Sequence, residues 1–131
     1  MADKLTGGCM CGAVRYEAHA PFRDVTFCHC GQCRKWHGHV GAYTNVAADR
    51  FALVHDEDLA WFASSDVARR GFCRKCGSSL FWRRNQGDTI SVAAGTIDGA
   101  TGLHAARHIY VTDKGDYYDI ADGLPQEGRT A

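Results

Sequence analysis

Three thiols stand within six residues in Phe27-Cys28-His29-Cys30-Gly31-Gln32-Cys33-Arg34-Lys35, one pair spaced Cys-x-Cys and the next Cys-x-x-Cys through the shared Cys30. On an extended segment side chains at i and i+2 leave on the same face, so Cys28 and Cys30 can address one ion, and a tight turn through Gly31 and Gln32 brings Cys33 round to it. Structural zinc sites close with four protein ligands, whereas catalytic ones keep a position for water or substrate, so a local trio leans towards chemistry. Zinc on three thiolates is a net anion. That makes it a poor activator of water and a soft site suited to a substrate thiol, held as the nucleophilic thiolate. Arg34 and Lys35 follow directly, where they could offset the anionic centre or grip a substrate carboxylate, Arg34 through its planar fork and Lys35 as a point charge. The plainer reading of that pair is a solvated basic face. His29 points away from Cys28 and Cys30 on an extended segment and is not read as a ligand; His37 and His39 are candidates for a fourth ligand or a proton shuttle.

The other four cysteines fall in two pairs, Cys9 and Cys11 within Gly7-Gly8-Cys9-Met10-Cys11-Gly12, and Cys73 and Cys76 within Cys73-Arg74-Lys75-Cys76-Gly77. Flanking glycines allow the tight backbone that a metal loop needs. The economical assignment is two zinc ions per chain. Cys9, Cys11, Cys73 and Cys76 then close a four-thiolate structural site that pins the N-terminal loop to the second pair, and Cys28, Cys30 and Cys33 form the open catalytic one. A competing assignment joins Cys30 and Cys33 to Cys73 and Cys76 and leaves Cys9, Cys11 and Cys28 as ordinary thiols, which leaves a Cys-x-Cys unused.

The elements that must carry these motifs read as mainly β. Residues 13–18 alternate Val14 and Tyr16 with Arg15 and Glu17, the period of a half-buried strand, and Val25-Thr26-Phe27 runs as a short strand into the central thiols. A turn of helix is expected over 34–37, then strands over 40–44, 51–54, 59–62, 79–83, 89–93, 108–111 and 117–120. The strands at 51–54 and 59–62 are expected to form a hairpin across Asp56-Glu57-Asp58. One domain is expected over 1–122, followed by a C-terminal tail over 123–131.

Lys plus Arg and Asp plus Glu both number 15, so no net charge argues for a nucleic-acid partner. No apolar run approaches the ~20 residues that span a bilayer, and the first residues lack a basic-then-apolar signal pattern. The chain reads as soluble and cytoplasmic, where thiols stay reduced. Seven cysteines, an odd number, then favour metal binding over a disulfide framework.

Three motifs in this order, Gly8-Cys9-x-Cys11-Gly12-Ala13-Val14-Arg15-Tyr16, Cys28-His29-Cys30-x-x-Cys33-Arg34-Lys35 and Phe72-Cys73-x-x-Cys76-Gly77-Ser78-Ser79-Leu80, resemble the glutathione-dependent formaldehyde-activating enzymes, which share their domain with centromere protein V. The resemblance covers nearly the whole chain. It implies a β-tent of stacked antiparallel sheets, a structural zinc on Cys9, Cys11, Cys73 and Cys76, and a catalytic zinc on Cys28, Cys30 and Cys33. It also implies a carbon-sulfur lyase that joins glutathione to formaldehyde as S-(hydroxymethyl)glutathione. A zinc-stabilised module that carries glutathione or its adduct is the alternative.

Overall fold

A computed structural model describes residues 3–129 of the chain. Its strands are β1 (Lys4–Gly8), β2 (Arg15–His19), β3 (Val25–Cys28), β4 (Gly41–Ala47), β5 (Phe51–His55), β6 (Leu59–Ala63), β7 (Ala68–Cys73), β8 (Ser79–Arg84), β9 (Thr89–Ala93) and β10 (Ala105–Ile109), with one α-helix, α1 (Gly31–His37). The chain divides into two compact units. Thr44–Leu103 joins the chain up to Arg23 in the first, and Asp24–Tyr43 joins the chain from His104 in the second.

In the first unit β1, β2 and β5 form a three-stranded antiparallel sheet in the order β1-β2-β5, and a second sheet runs β4-β9-β8-β7-β6. The alternation read in β2 is realised: Tyr16 and Ala18 are buried, while Glu17 turns out to meet Lys4 at 2.7 Å. The core draws Leu5, Tyr16 and Ala18 from the smaller sheet and Val46, Leu80, Phe81, Ile90 and Val92 from the larger, so the two sheets stack on one apolar layer. Tyr16 is its centre. Its ring stacks on Phe51 at 5.6 Å and meets Phe81 edge-on at 5.4 Å, and its hydroxyl bonds Thr96 Oγ1 at 2.7 Å. Burial pushes the Tyr16 phenol up to about 12, so it stays neutral. Gly7 is forced by this packing: a Cβ there would lie 2.4 Å from both the Thr96 carbonyl oxygen and the Tyr16 hydroxyl.

The expected hairpin of 51–54 with 59–62 does not form. β5 pairs with β2 in one sheet and β6 with β7 in the other. The reason lies in the acidic turn between them, because Asp58 binds Arg74 at 3.1 Å and Lys75 at 3.5 Å and its carbonyl accepts from the Arg74 N–H at 2.9 Å. Those contacts carry the chain across to the end of β7, while Phe51 is drawn to Tyr16 and Phe81.

In the second unit the order is β10-β3-β4. β3 and β4 are antiparallel, with Cys28 opposite Gly41, whereas β10 lies parallel to β3, with Ile109 opposite Cys28. The pairs β1–β2, β2–β5, β3–β4, β6–β7, β7–β8 and β8–β9 are all antiparallel, in contrast to β10–β3. Residues 117–120 are irregular rather than a strand. Residues 125–128 run beside β10: His108 donates its backbone N–H to the Pro125 carbonyl and accepts from the Glu127 N–H, both at 2.9 Å, and Arg107 meets Glu127 at 2.8 Å. The ends of the expected 1–122 domain and 123–131 tail, residues 1–2 and 130–131, lie outside the described residues.

Candidate metal centres

The first unit gathers Cys9, Cys11, Cys73 and Cys76, with all four sulfurs within 4.8 Å of one another. Cys9 and Cys11 come from the loop between β1 and β2, and Cys73 ends β7. The turn to Cys76 is closed by Gly77, whose N–H reaches the Cys73 carbonyl at 2.8 Å with a positive φ of 81°. The Ser78 hydroxyl accepts from the Met10 N–H at 3.0 Å and donates to the Cys76 sulfur at 3.1 Å, so one side chain ties both loops together. That hydroxyl, with the Ser78 backbone, pulls the Cys76 thiol down to about 5. The Val14 N–H does similar service for the buried Cys9 sulfur at 3.2 Å.

These donors fit a tetrahedral ion. Zinc–sulfur bonds of ~2.3 Å place tetrahedral sulfurs about 3.8 Å apart. The Cys9–Cys11 and Cys11–Cys73 separations are 3.6 and 3.8 Å.

In the second unit Cys28, Cys30 and Cys33 lie within 4.8 Å of one another, sulfur to sulfur, and no fourth His, Cys, Asp or Glu donor joins them among the described residues. Cys28 is the last residue of β3. Cys30 is the N-cap of α1, its extended backbone and its sulfur, which accepts the Cys33 N–H at 3.3 Å, starting the helix at Gly31. The helix therefore begins three residues before the expected turn and ends at Gly38, whose N–H reaches the Arg34 carbonyl at 2.9 Å. Hydrogen bonds from Cys28 and Cys33 hold the Cys30 thiol far below the ordinary range, and the same crowding pushes Cys28 up. Three sulfurs gathered this closely are the donor set that a soft divalent metal takes, its charge offsetting the repulsion between thiolates.

Arg34 and Lys35 ride on α1 directly after the buried Cys33. Arg34 is half-buried with its Nε enclosed and without a hydrogen-bond partner, and Lys35 is exposed. His37 and His39 are otherwise engaged, His37 Nε2 with the Tyr43 hydroxyl and His39 Nδ1 with the Tyr117 hydroxyl, each at 2.6 Å.

Sequence reasoning passed over the surroundings of His29. This ring is 3% exposed and meets the Tyr118 hydroxyl through Nδ1 and His108 Nδ1 through Nε2, the latter at 2.8 Å. His108 Nε2 in turn lies 2.7 Å from Asp122. Burial, and then the neighbouring His108, hold His29 below the ordinary histidine range. The one local signal was the placement of His29 between two ligand candidates, because its partners are 79 and 89 residues away.

The family model described as "Glutathione-dependent formaldehyde-activating enzyme" matches residues 4–113. An uncharacterised lyase of Schizosaccharomyces pombe is 27% identical over 118 residues, 88% of this chain and 85% of that protein. A Halomonas elongata protein, provisionally named a glutathione-dependent formaldehyde-activating enzyme, is 28% identical over 126 residues, 88% of this chain and 80% of that one. The crystal structure of a Rhodobacter sphaeroides protein superposes with a TM-score of 0.60 at 25% identity, covering 74% of this chain and 91% of that one. Among the described residues no helix is long and apolar enough to cross a membrane.

Proposed function

The chain belongs to the glutathione-dependent formaldehyde-activating enzyme family, and from that premise we propose that it is a zinc-dependent carbon-sulfur lyase. It joins glutathione or a related small thiol to formaldehyde, or another small aldehyde, as an S-(hydroxymethyl) adduct. Cys28, Cys30 and Cys33 hold the catalytic zinc, and Cys9, Cys11, Cys73 and Cys76 hold a structural one. The observation that carries this reading is the second cluster itself, three convergent thiols with no fourth donor among the described residues.

A zinc ion held there would supply a soft Lewis-acidic position that favours a guest sulfur, as thiolate, over hydroxide. The protein's own residues do the rest. Cys30 fixes the start of α1 and with it the direction of Cys33. The half-buried Arg34 follows Cys33 directly and would offer its guanidinium to a substrate carboxylate, with the exposed Lys35 as a point charge beside it. In the forward direction the thiol loses its S–H proton, its sulfur forms a bond to the aldehyde carbon, and the carbonyl π pair takes up a proton as the new hydroxyl. The lyase direction is the reverse. We place the protein in the cytoplasm, where seven free thiols stay reduced.

The test is exchange spectroscopy by NMR on glutathione, formaldehyde and the zinc-loaded protein. A rate above the uncatalysed reaction is expected, and it should vanish in Cys30→Ala. Equal rates with and without protein would defeat the catalytic reading, and thiol binding without rate enhancement would make the protein a carrier.

A further inference from the structure

His29 is the single residue between Cys28, which ends β3, and Cys30, which caps α1, and both of its ring nitrogens are engaged. The series runs Tyr118 hydroxyl, His29, His108, Asp122, and its three contacts need three hydrogens. The Asp122 carboxylate, which its bond to His108 holds below the usual carboxylate range, only accepts, so His108 donates from Nε2, and in the neutral ring Nδ1 accepts. His29 must then donate from Nε2 and accept at Nδ1, and the Tyr118 hydroxyl donates to it. With both imidazoles neutral, every donor and acceptor in the series is used once.

Each member is held by its own element. His108 is pinned through both backbone groups by 125–127, and Phe27 stacks on its ring at 5.0 Å. Lys114 donates to the Tyr118 carbonyl and lies 4.8 Å over its ring. The His29 N–H donates to the Ile109 carbonyl at 3.0 Å. A ring tied at both nitrogens cannot turn without breaking a buried hydrogen bond, so the backbone that aims the two neighbouring sulfurs is tied as well.

We propose that Tyr118, His29, His108 and Asp122 form a positioning chain in which His29 locks Cys28 and Cys30 in the metal-binding arrangement and Asp122, outside the donor cluster, fixes the tautomers from its far end. It rests on reading the three thiols as a metal site, and deepens that reading by giving the C-terminal segment a task in it. Groups that hold a metal site in place from behind are typically worth about 10- to 100-fold in metal affinity.

The test uses the full chain loaded with cadmium-113, whose NMR resonances report the two sites separately, the trio's being the one lost in Cys30→Ala. Asp122→Ala removes an exposed group (44% accessible side chain), so the variant should keep its fold. The trio resonance should shift and its cadmium affinity fall about tenfold or more, with the four-cysteine resonance unmoved. Asp122→Asn, whose carbonyl still accepts from His108, should restore both. Tyr118→Phe should act in the same direction, and combining it with Asp122→Ala should cost less than the product of the two, as members of one chain require. An unchanged trio resonance and affinity in Asp122→Ala and Tyr118→Phe would overturn the proposal, and so would equal disturbance of both resonances with a fall in Tm. Wild-type protein that binds no cadmium at the trio would overturn the metal reading too. A shifted resonance in a protein without adduct-forming activity would leave the chain standing and remove only the catalytic reading.

Discussion

The sulfurs of Cys11 and Cys73 lie 3.8 Å apart although 62 positions separate them in sequence. They join the β1–β2 loop to the end of β7, so an ion there closes a long loop as well as satisfying four thiols. Cys73→Ala should therefore remove one metal ion per chain and cost several kcal/mol, lowering Tm by about 10 °C or more. Cys30→Ala should also remove one ion but, beyond the loss of a helix cap worth about 1 kcal/mol, leave the first unit's melting close to native. Metal content by elemental analysis together with thermal melts checks both. Equal losses of Tm would mean that all seven thiols serve the fold.

Gly7 and Gly12 lie five residues apart and should respond to alanine for different reasons. At Gly7 a Cβ meets the Thr96 carbonyl and the Tyr16 hydroxyl at 2.4 Å, and the first of these is backbone that cannot swing away. Overpacking of this kind costs about 1–3 kcal/mol or more. At Gly12 nothing lies within 4 Å and only the positive φ of 82° is strained, which costs about 1 kcal/mol. Urea denaturation of the two variants should rank Gly7→Ala well below Gly12→Ala, and the reverse order would show that the β1–β2 packing is looser than it stands here.

What could be read from the sequence was whatever is encoded within a few residues. Cys28, Cys30 and Cys33 form a cluster because strand and helix geometry converge over six positions, and Tyr16 is buried because its neighbours alternate. Features that depend on distant capture were misread or missed. Asp56-Glu57-Asp58 resembles a hairpin turn, yet Asp58 is held by Arg74 and Lys75. Residues 117–120 have strand-forming types, yet Tyr118 bonds to His29, a partner 89 positions away that no local pattern can reveal. The N-cap role of Cys30 escaped notice because the usual capping side chains carry oxygen.

Asp98 accepts from both Arg15 Nη atoms and from the Thr6 hydroxyl, the latter at 2.9 Å. The Arg15 guanidinium first, and then the Thr6 hydroxyl, hold its carboxyl below the ordinary range. A carboxyl that is more acidic folded than unfolded contributes stability that is complete above the unfolded value, about pH 4. That contribution is lost as the pH falls through the lower folded value. Comparing wild type with Asp98→Asn isolates this from metal release, which both share. The stability difference should be constant from about pH 8 to pH 5 and shrink below pH 4. A difference that stays flat down to about pH 2 would show that the pair is not felt in the folded state.

Tyr16 offers the sharpest division between packing and hydrogen bonding in the core. Thr96 donates to the Ala93 carbonyl at 2.7 Å, so its oxygen is free to accept from the Tyr16 hydroxyl. Tyr16→Phe keeps the stack on Phe51 and the edge contact with Phe81 and leaves Thr96 with its donated bond intact. The loss should be that of one partly buried hydrogen bond, about 1 kcal/mol. Tyr16→Ala also removes the ring that joins the two sheets, and should cost about 3–5 kcal/mol. Thr96→Val strands the Tyr16 hydroxyl in a buried position, so it should cost more than Tyr16→Phe, and the double variant Tyr16→Phe/Thr96→Val should recover part of that excess. Chemical denaturation of the four variants and the wild type at one pH and metal load measures all of this. Strict additivity in the cycle would show that the 2.7 Å contact contributes nothing of its own.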